Sequence, residues 1–187
     1  MFILILGAPG SGKGTQGKIL AERLGLPKIT TGDLIRAAMK AGTPLGTEAK
    51  KYYDAGKLVP DSVILGMIKN ELVRPEAKDG AILDGFPRTA AQAELVDRTL
   101  AERMQRLNHI LLLDVTEEEL VRRMRARAAT EGRSDDTPEA IAERLRIYQM
   151  DTAPLIAHYA QRGIVHRVPG IGTVDQIAEE IKRIIGR

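Results

Sequence analysis

The chain begins with an unbroken apolar run, residues 2–6, which passes directly into Gly7-Ala8-Pro9-Gly10-Ser11-Gly12-Lys13-Gly14-Thr15 and then into a helical pattern. A short run with no polar alternation reads as a strand buried on both faces. Glycines at this spacing let the backbone curl so that several N–H groups point inward, and the following helix adds the positive end of its dipole. Lys13 supplies a point charge suited to the β- and γ-phosphates of a nucleotide. The competing reading is a plain glycine-rich connection, which accounts for neither the lysine nor the strand-helix context.

In the common form of such a loop, a Ser or Thr follows the lysine and its hydroxyl ligates Mg²⁺ directly. Here that place holds Gly14, and the hydroxyl comes one residue later, at Thr15. A direct bond from protein to metal is therefore not expected at this point. Gly10, Ser11, Gly12, Lys13, Gly14 and Thr15 form the candidate triphosphate cradle, with Thr15 contacting phosphate.

Further apolar runs at 81–83, 110–115 and 164–168 end near Gly, Asp or Pro, and a short extra strand at 28–30 brings the expected parallel sheet to five. Helical spacing fills the gaps, with starts at Thr43-Pro44, Asp61, Thr116 with Glu119, Thr137-Pro138, and Thr173 with Gln176. The fold class is α/β: a three-layer fold around a central parallel sheet, formed as one domain over 1–187. Two stretches break the alternation. Residues 32–72 carry only helical patterns, which implies a helical insertion, and 128–138 is a polar connection suited to a loop.

Composition narrows the function. Aromatics are 3% and Trp is absent, so a base-stacking surface for nucleic acid has little raw material. There is no Cys, which removes disulfides and thiolate metal sites and fits a reducing compartment. With neither Cys nor His between 128 and 138, no zinc site is expected there. The opening apolar run is too short for a signal-peptide core or a membrane span, so a cytoplasmic protein with no membrane partner is expected. Nothing suggests more than a monomer. The net charge of +3 is uninformative, but Arg122, Arg123, Arg125, Arg127, Arg133, Arg144 and Arg146 crowd one stretch, and small polyanions are natural ligands for such a cluster.

Beyond the loop come Thr30-Thr31-Gly32-Asp33-Leu34-Ile35-Arg36, Gly56-Lys57-Leu58-Val59-Pro60-Asp61, Asp84-Gly85-Phe86-Pro87-Arg88 with Gln92, and Gly132-Arg133-Ser134-Asp135-Asp136. In that order, and over essentially the whole chain, these motifs resemble the adenylate kinase family, in its short-lid form. The resemblance implies a P-loop kinase with an AMP-binding insertion over 30–59 and a short lid over 127–137. It implies reversible transfer of the γ-phosphoryl group of Mg-ATP to AMP, giving two ADP.

Residue by residue, it puts Thr31, Arg36, Gln92, the segment Lys57, Leu58 and Val59, and the turn Gly85, Phe86, Pro87 and Arg88 on the AMP side. Arg123, Arg127, Arg133 and Arg144 fall at the phosphates, with Arg127 nearest ATP and Arg133 and Arg144 spanning to AMP. The catalytic set is Lys13, Arg88, Arg123, Arg133 and Arg144, and the carbonyl of Gly172 meets adenine. Asp84, at the carboxyl end of a strand, is placed to hold Mg²⁺ through its waters.

Some readings carry a plainer alternative. Asp84 also suits a helix cap, and Arg88 a solvated charge at a helix start. Asp135 and Asp136 either steer Arg133 or begin the next helix. Arg122, Arg125 and Arg146 read as solvated charges outside the site, and Met104, Met124 and Met150 as core fillers. His109, His158 and His166 have no paired carboxylate and receive no role. A UMP/CMP-type kinase shares most of these features, although Thr31 and Thr89 match the adenylate type. A GTP-dependent switch lacks support because the Asn-Lys-x-Asp guanine signature is absent.

Overall fold

The computed structural model describes residues 1–55, 57–131 and 137–186, the side chain of 131 excepted. Five parallel strands, β1 (Phe2–Gly7), β2 (Lys28–Thr30), β3 (Ala81–Asp84), β4 (Leu107–Asp114) and β5 (Val165–Pro169), form one sheet in the order β2-β3-β1-β4-β5. β4 starts earlier than its apolar run implies. Asn108 interrupts the pattern yet serves the sheet, since its Oδ1 accepts from Phe2 N at 2.8 Å.

Alternation along each strand feeds two opposite cores, which is why the runs lack polar residues. Phe2, Leu4, Leu6, Leu83, Ile110 and Leu112 face one core, shared with α4 (Asp61–Leu72), α5 (Ala90–Ala101) and α8 (Pro154–Ala160). On the other side, Ile3, Ile5, Ile82, Leu111, Leu113 and Val168 pack with α1 (Lys13–Leu24) and α9 (Val174–Ile185). The expected three layers are present. The chain runs to one side of β1 for β2 and β3 and to the other for β4 and β5, so a crevice opens at the carboxyl ends of the strands.

The stretch that lacked strands is helical, with α2 (Thr31–Lys40) and α3 (Pro44–Asp54) preceding α4. Thr43 caps α3 by accepting from Gly46 N at 3.0 Å, and Thr137 caps α7 (Pro138–Ile147) by accepting from Ala140 N at 3.2 Å. Thr173 and Gln176 form the full capping box of α9. Asp61 has a second role beside its expected one. It starts α4 and also accepts from Thr89 Oγ1 at 3.1 Å and Gln92 Nε2 at 2.7 Å, tying α4 to the start of α5. Glu119, in the first turn of α6 (Glu117–Glu131), likewise binds Arg122 and Arg123 through its carboxylate.

The methionine reading holds for Met124, which is buried in the small cluster joining α6 and α7. Met104 and Met150 are corrections: they are 97% and 62% exposed. Met104 lies past the end of α5 with φ at 55°, and Met150 lies in a π-helical turn where its Sδ accepts from Arg146 Nη1 at 2.8 Å. Helical spacing alone did not reveal that the regular helices had already ended.

Candidate functional site

A cleft of about 770 Å³ opens at the carboxyl ends of β1 and β3. Its floor is the loop after β1. Gly10 has φ at 85°, and a Cβ there would lie 2.9 Å from the Leu120 carbonyl oxygen, so only glycine fits. Ser11 is 1% exposed, and its Oγ has no hydrogen-bond partner among the described residues. Gly12, Gly14 and Thr15 complete the rim of the loop.

Lys13 folds back onto this loop, donating from Nζ to the carbonyls of Gly7 at 2.7 Å and Ala8 at 2.8 Å. Its pKa is pushed down from 10.5 to about 7. Burial is the largest cause; the Asp84 carboxylate opposes it, and the guanidinium groups of Arg88, Arg144 and Arg127 add to it. The residue as a whole is only partly buried, but its ammonium is enclosed by the loop, and that loss of water lowers the pKa despite the two carbonyls that accept from it. Lys13 is therefore close enough to those three arginines to feel their charge.

Asp84 ends β3, is 5% exposed, and lines the floor beside the loop. After it Gly85 turns the chain at a φ of 82°, where a Cβ would lie 3.1 Å from Thr31 Oγ1 and 3.2 Å from Arg88 Nη2. The Phe86–Pro87 peptide is cis, and Phe86 is buried in the core. Arg88 is held from three directions: Nε donates to Gly85 O at 2.7 Å, its backbone N–H donates to Gln92 Oε1 at 2.8 Å, and its carbonyl accepts from Thr152 Oγ1 at 3.2 Å. An arginine fixed this tightly presents a preformed cationic fork.

Arg36 projects from α2 into the same cleft, held by Tyr53 Oη at 2.8 Å and by an ion pair with Asp33. Those two partners push its pKa up against the opposing effect of burial, which is the largest single influence. At the other end, Arg123 donates from Nη2 to Gly170 O at 3.0 Å and from Nε to Glu119 at 2.6 Å, next to Ile171 and Gly172. Arg127 and Arg144 line the wall between. Among the described residues, eight basic side chains line the cleft against three acidic ones, a field suited to a ligand bearing several negative charges.

Four of the expected residues are not among those that line the cleft in this structure. Thr31 is 6% exposed and donates from Oγ1 to Gly85 O at 2.9 Å. Gln92 is 4% exposed, its amide shared between Arg88 and Asp61. Val59 is buried in the core and Lys57 is exposed, while Leu58 between them does line the cleft. Arg125 and Arg146 lie outside the lining, but Arg122 reaches it. Gly56, Gly132, Arg133, Asp135 and Asp136 lie outside the described residues.

The structure also brings in residues that the motifs did not flag. Lys28, Tyr148 and Ile171 line the cleft, and Thr152 supports Arg88. Each reaches the site through an element whose position depends on the whole sheet, and a single exposed-type residue in a sequence carries no signal of that. His109 and His166 also meet, with Nδ1 and Nε2 3.3 Å apart on neighbouring strands, although nothing in the sequence paired them.

A phosphate loop after the first strand, a buried carboxylate at the end of β3 and a cleft ringed by arginines define a P-loop nucleotide-binding protein of the kinase type. The adenylate kinase family model matches residues 5–164. Among curated relatives, the adenylate kinase of Leptospira biflexa is 47% identical over 183 residues, covering 98% of each chain. That of Xanthomonas euvesicatoria is 46% identical over the full length of both, and that of Methanothrix thermoacetophila is 42% identical over 100% of this chain and 99% of its own. The chain belongs to the adenylate kinase family.

Proposed function

We propose that this chain is an ATP:AMP phosphotransferase that uses Mg-ATP and converts ATP and AMP reversibly to two ADP. The observation that carries this reading is the continuity of one cleft from the Gly172 end, over the loop around Lys13, to Arg88, Arg36 and Leu58. ATP lies with its purine beside Gly172 and its triphosphate in the loop from Gly10 to Thr15. AMP lies opposite, its phosphate gripped by Arg88 and Arg36. Residues 30–59 are read as the AMP-binding insertion and 127–137 as the short lid that carries Arg133.

The acceptor is a phosphate oxygen whose second pKa is near 6, so it is already largely ionised at neutral pH and needs no general base. That oxygen forms a bond to the γ-phosphorus as the bond to the β–γ bridging oxygen breaks, and the departing electrons stay on ADP. Catalysis is then alignment and charge placement. Lys13, Arg88, Arg123, Arg127, Arg133 and Arg144 take these roles on the phosphates. Gln92 acts by fixing Arg88, and the backbone of Lys57 to Val59 lines the acceptor's base.

The buried carboxylate of Asp84 fits a hydrated Mg²⁺, a hard cation that binds through one or two carboxylates plus substrate phosphates. No cluster of three or more metal-ligating side chains exists among the described residues, which suits a metal that arrives on the nucleotide. When bound with the nucleotide, Mg²⁺ would offset negative charge on the triphosphate. The protein is proposed to act as a cytoplasmic monomer. No helix among the described residues is long and apolar enough to cross a membrane.

A coupled assay of ADP formation from ATP with AMP, CMP, UMP or GMP tests this function. AMP is expected to be the preferred acceptor by at least about tenfold in kcat/KM, a difference of 1.4 kcal/mol. Equal turnover of CMP or UMP supports the pyrimidine-kinase alternative instead.

Thr31 sharpens the acceptor choice. Its proton is committed to Gly85 O, so its oxygen can only accept from a ligand, which matches an amino group such as that of adenine and not an oxo group. Thr31→Ala is expected to lower kcat/KM for AMP about threefold to tenfold, the size of one neutral hydrogen bond. GMP, with an oxo group where adenine carries its amino group, UMP, with oxo groups only, and CMP, with a smaller ring, should change less than about twofold. An equal fall for all four acceptors instead makes Thr31 a support for the Gly85 turn alone.

A further inference from the structure

Lys28 has no role in the reading above, yet it ends at the floor of the cleft. It opens β2 opposite Ile82, on the sheet face that α1 covers, and Asp84 points to the same face two residues on. Two glycines on α1 make room for its stem. A Cβ at Gly17 would lie 3.4 Å from Lys28 Cδ, and one at Gly14 would lie 4.0 Å from Nζ and 3.7 Å from Asp84 Oδ2. The ammonium comes within 3.4 Å of Asp84 Oδ2 and donates to Gly14 O at 3.2 Å. Both side chains are sheltered, with 22% of Lys28 and 7% of Asp84 exposed.

A buried carboxylate without a partner is costly, and one that faces a phosphate cleft also repels the ligand. Lys13 does not neutralise it by contact, because that ammonium donates to the loop carbonyls. We propose that Lys28 is the resident counter-charge of Asp84, a positioning residue that holds the carboxylate at the floor of the cleft and offsets its charge toward nucleotide that arrives without metal. Removing Lys28 therefore makes nucleotide binding more dependent on Mg²⁺, since the metal must then do alone what the ion pair shares. This rests on Asp84 being the carboxylate that faces Mg²⁺.

Calorimetry of ATP binding, in EDTA and in excess Mg²⁺, tests both levels without turnover. Lys28→Met keeps the stem against Gly17 and removes only the charge, and Lys28→Gln is the second variant should Met impair folding. Metal-free ATP is expected to bind about fivefold to tenfold more weakly to the variant, the effect of one partly screened charge, while Mg-ATP affinity changes less than about twofold. Lys28→Arg is expected to restore the wild-type ratio of the two affinities. Asp84→Asn is expected to bring that ratio toward one. If Asp84→Asn leaves the ratio at the wild-type value, the reading of Asp84 fails. If it collapses the ratio while Lys28→Met and Lys28→Gln lower only Tm, or weaken both forms of ATP equally, Lys28 is a structural residue and the proposal is overturned.

Discussion

Lys13→Met is expected to lower kcat/KM by at least about 10³-fold and yet to raise stability at neutral pH. The loss follows from removing a preorganised charge at the transferring phosphoryl group, where single donors are worth about 10² to 10³ and cations more. The gain follows from the lysine's own titration. Its folded-state pKa is about 7 against 10.5 for an ordinary lysine, so the folded protein binds fewer protons than the unfolded chain between those values. Stability therefore rises with pH across that window in the wild type, and below about pH 7 the full cost of burying the charge is present.

Methionine removes that slope. The carbonyls of Gly7 and Ala8 lose a donor, which offsets part of the gain, so a net increase on the order of 2 kcal/mol is expected, or several degrees in Tm. Thermal melts of both proteins at pH 6, 7, 8 and 9 check the sign. A wild-type curve flat relative to the variant contradicts the buried ammonium, and near-normal turnover in the folded variant removes the phosphate-loop assignment.

Arg144→Ala is expected to lower kcat about 10²- to 10³-fold while raising KM for ATP less than about threefold, because its guanidinium faces charge that grows in the transition state. Arg144 lines the cleft, and it lowers the proton affinity of Lys13, as Arg88 and Arg127 also do. Three guanidinium groups that each disfavour the charge on Lys13 are offset by a bound polyphosphate, most of all when its charge is greatest. Steady-state kinetics with both substrates varied measures the split between kcat and KM. Unchanged kcat makes Arg144 a cleft residue with no part in the transition state.

Much of this protein is decided locally. The apolar run before Gly7, the glycines and lysine of the loop, and the caps at Thr43, Thr137 and Thr173 each depend on neighbours within a few residues, so the sequence alone determined the strands, the phosphate loop and the helix starts. The motifs ending in Arg36 and Arg88 were legible for the same reason, since each packs its turn and its functional residue into one short segment. What only the tertiary structure decided depends on residues far apart in the chain.

Asp61 is the helix start that it looked like, and it also ties α4 to α5 through Gln92, 31 positions away. Gln92 and Thr31 carried only their motif's reading, and the fold adds that they hold Arg88 and Gly85 in place. Met104 and Met150 followed a helical phase that their helices no longer obeyed. Lys28 carried no local signal, and it became part of the site only because β2 pairs with β3 and two glycines on α1 leave it a path to Asp84. Backbone preference and short-range capping act before the chain closes on itself, whereas the partner of a buried charge is chosen by strand order and register, which no short window of sequence contains.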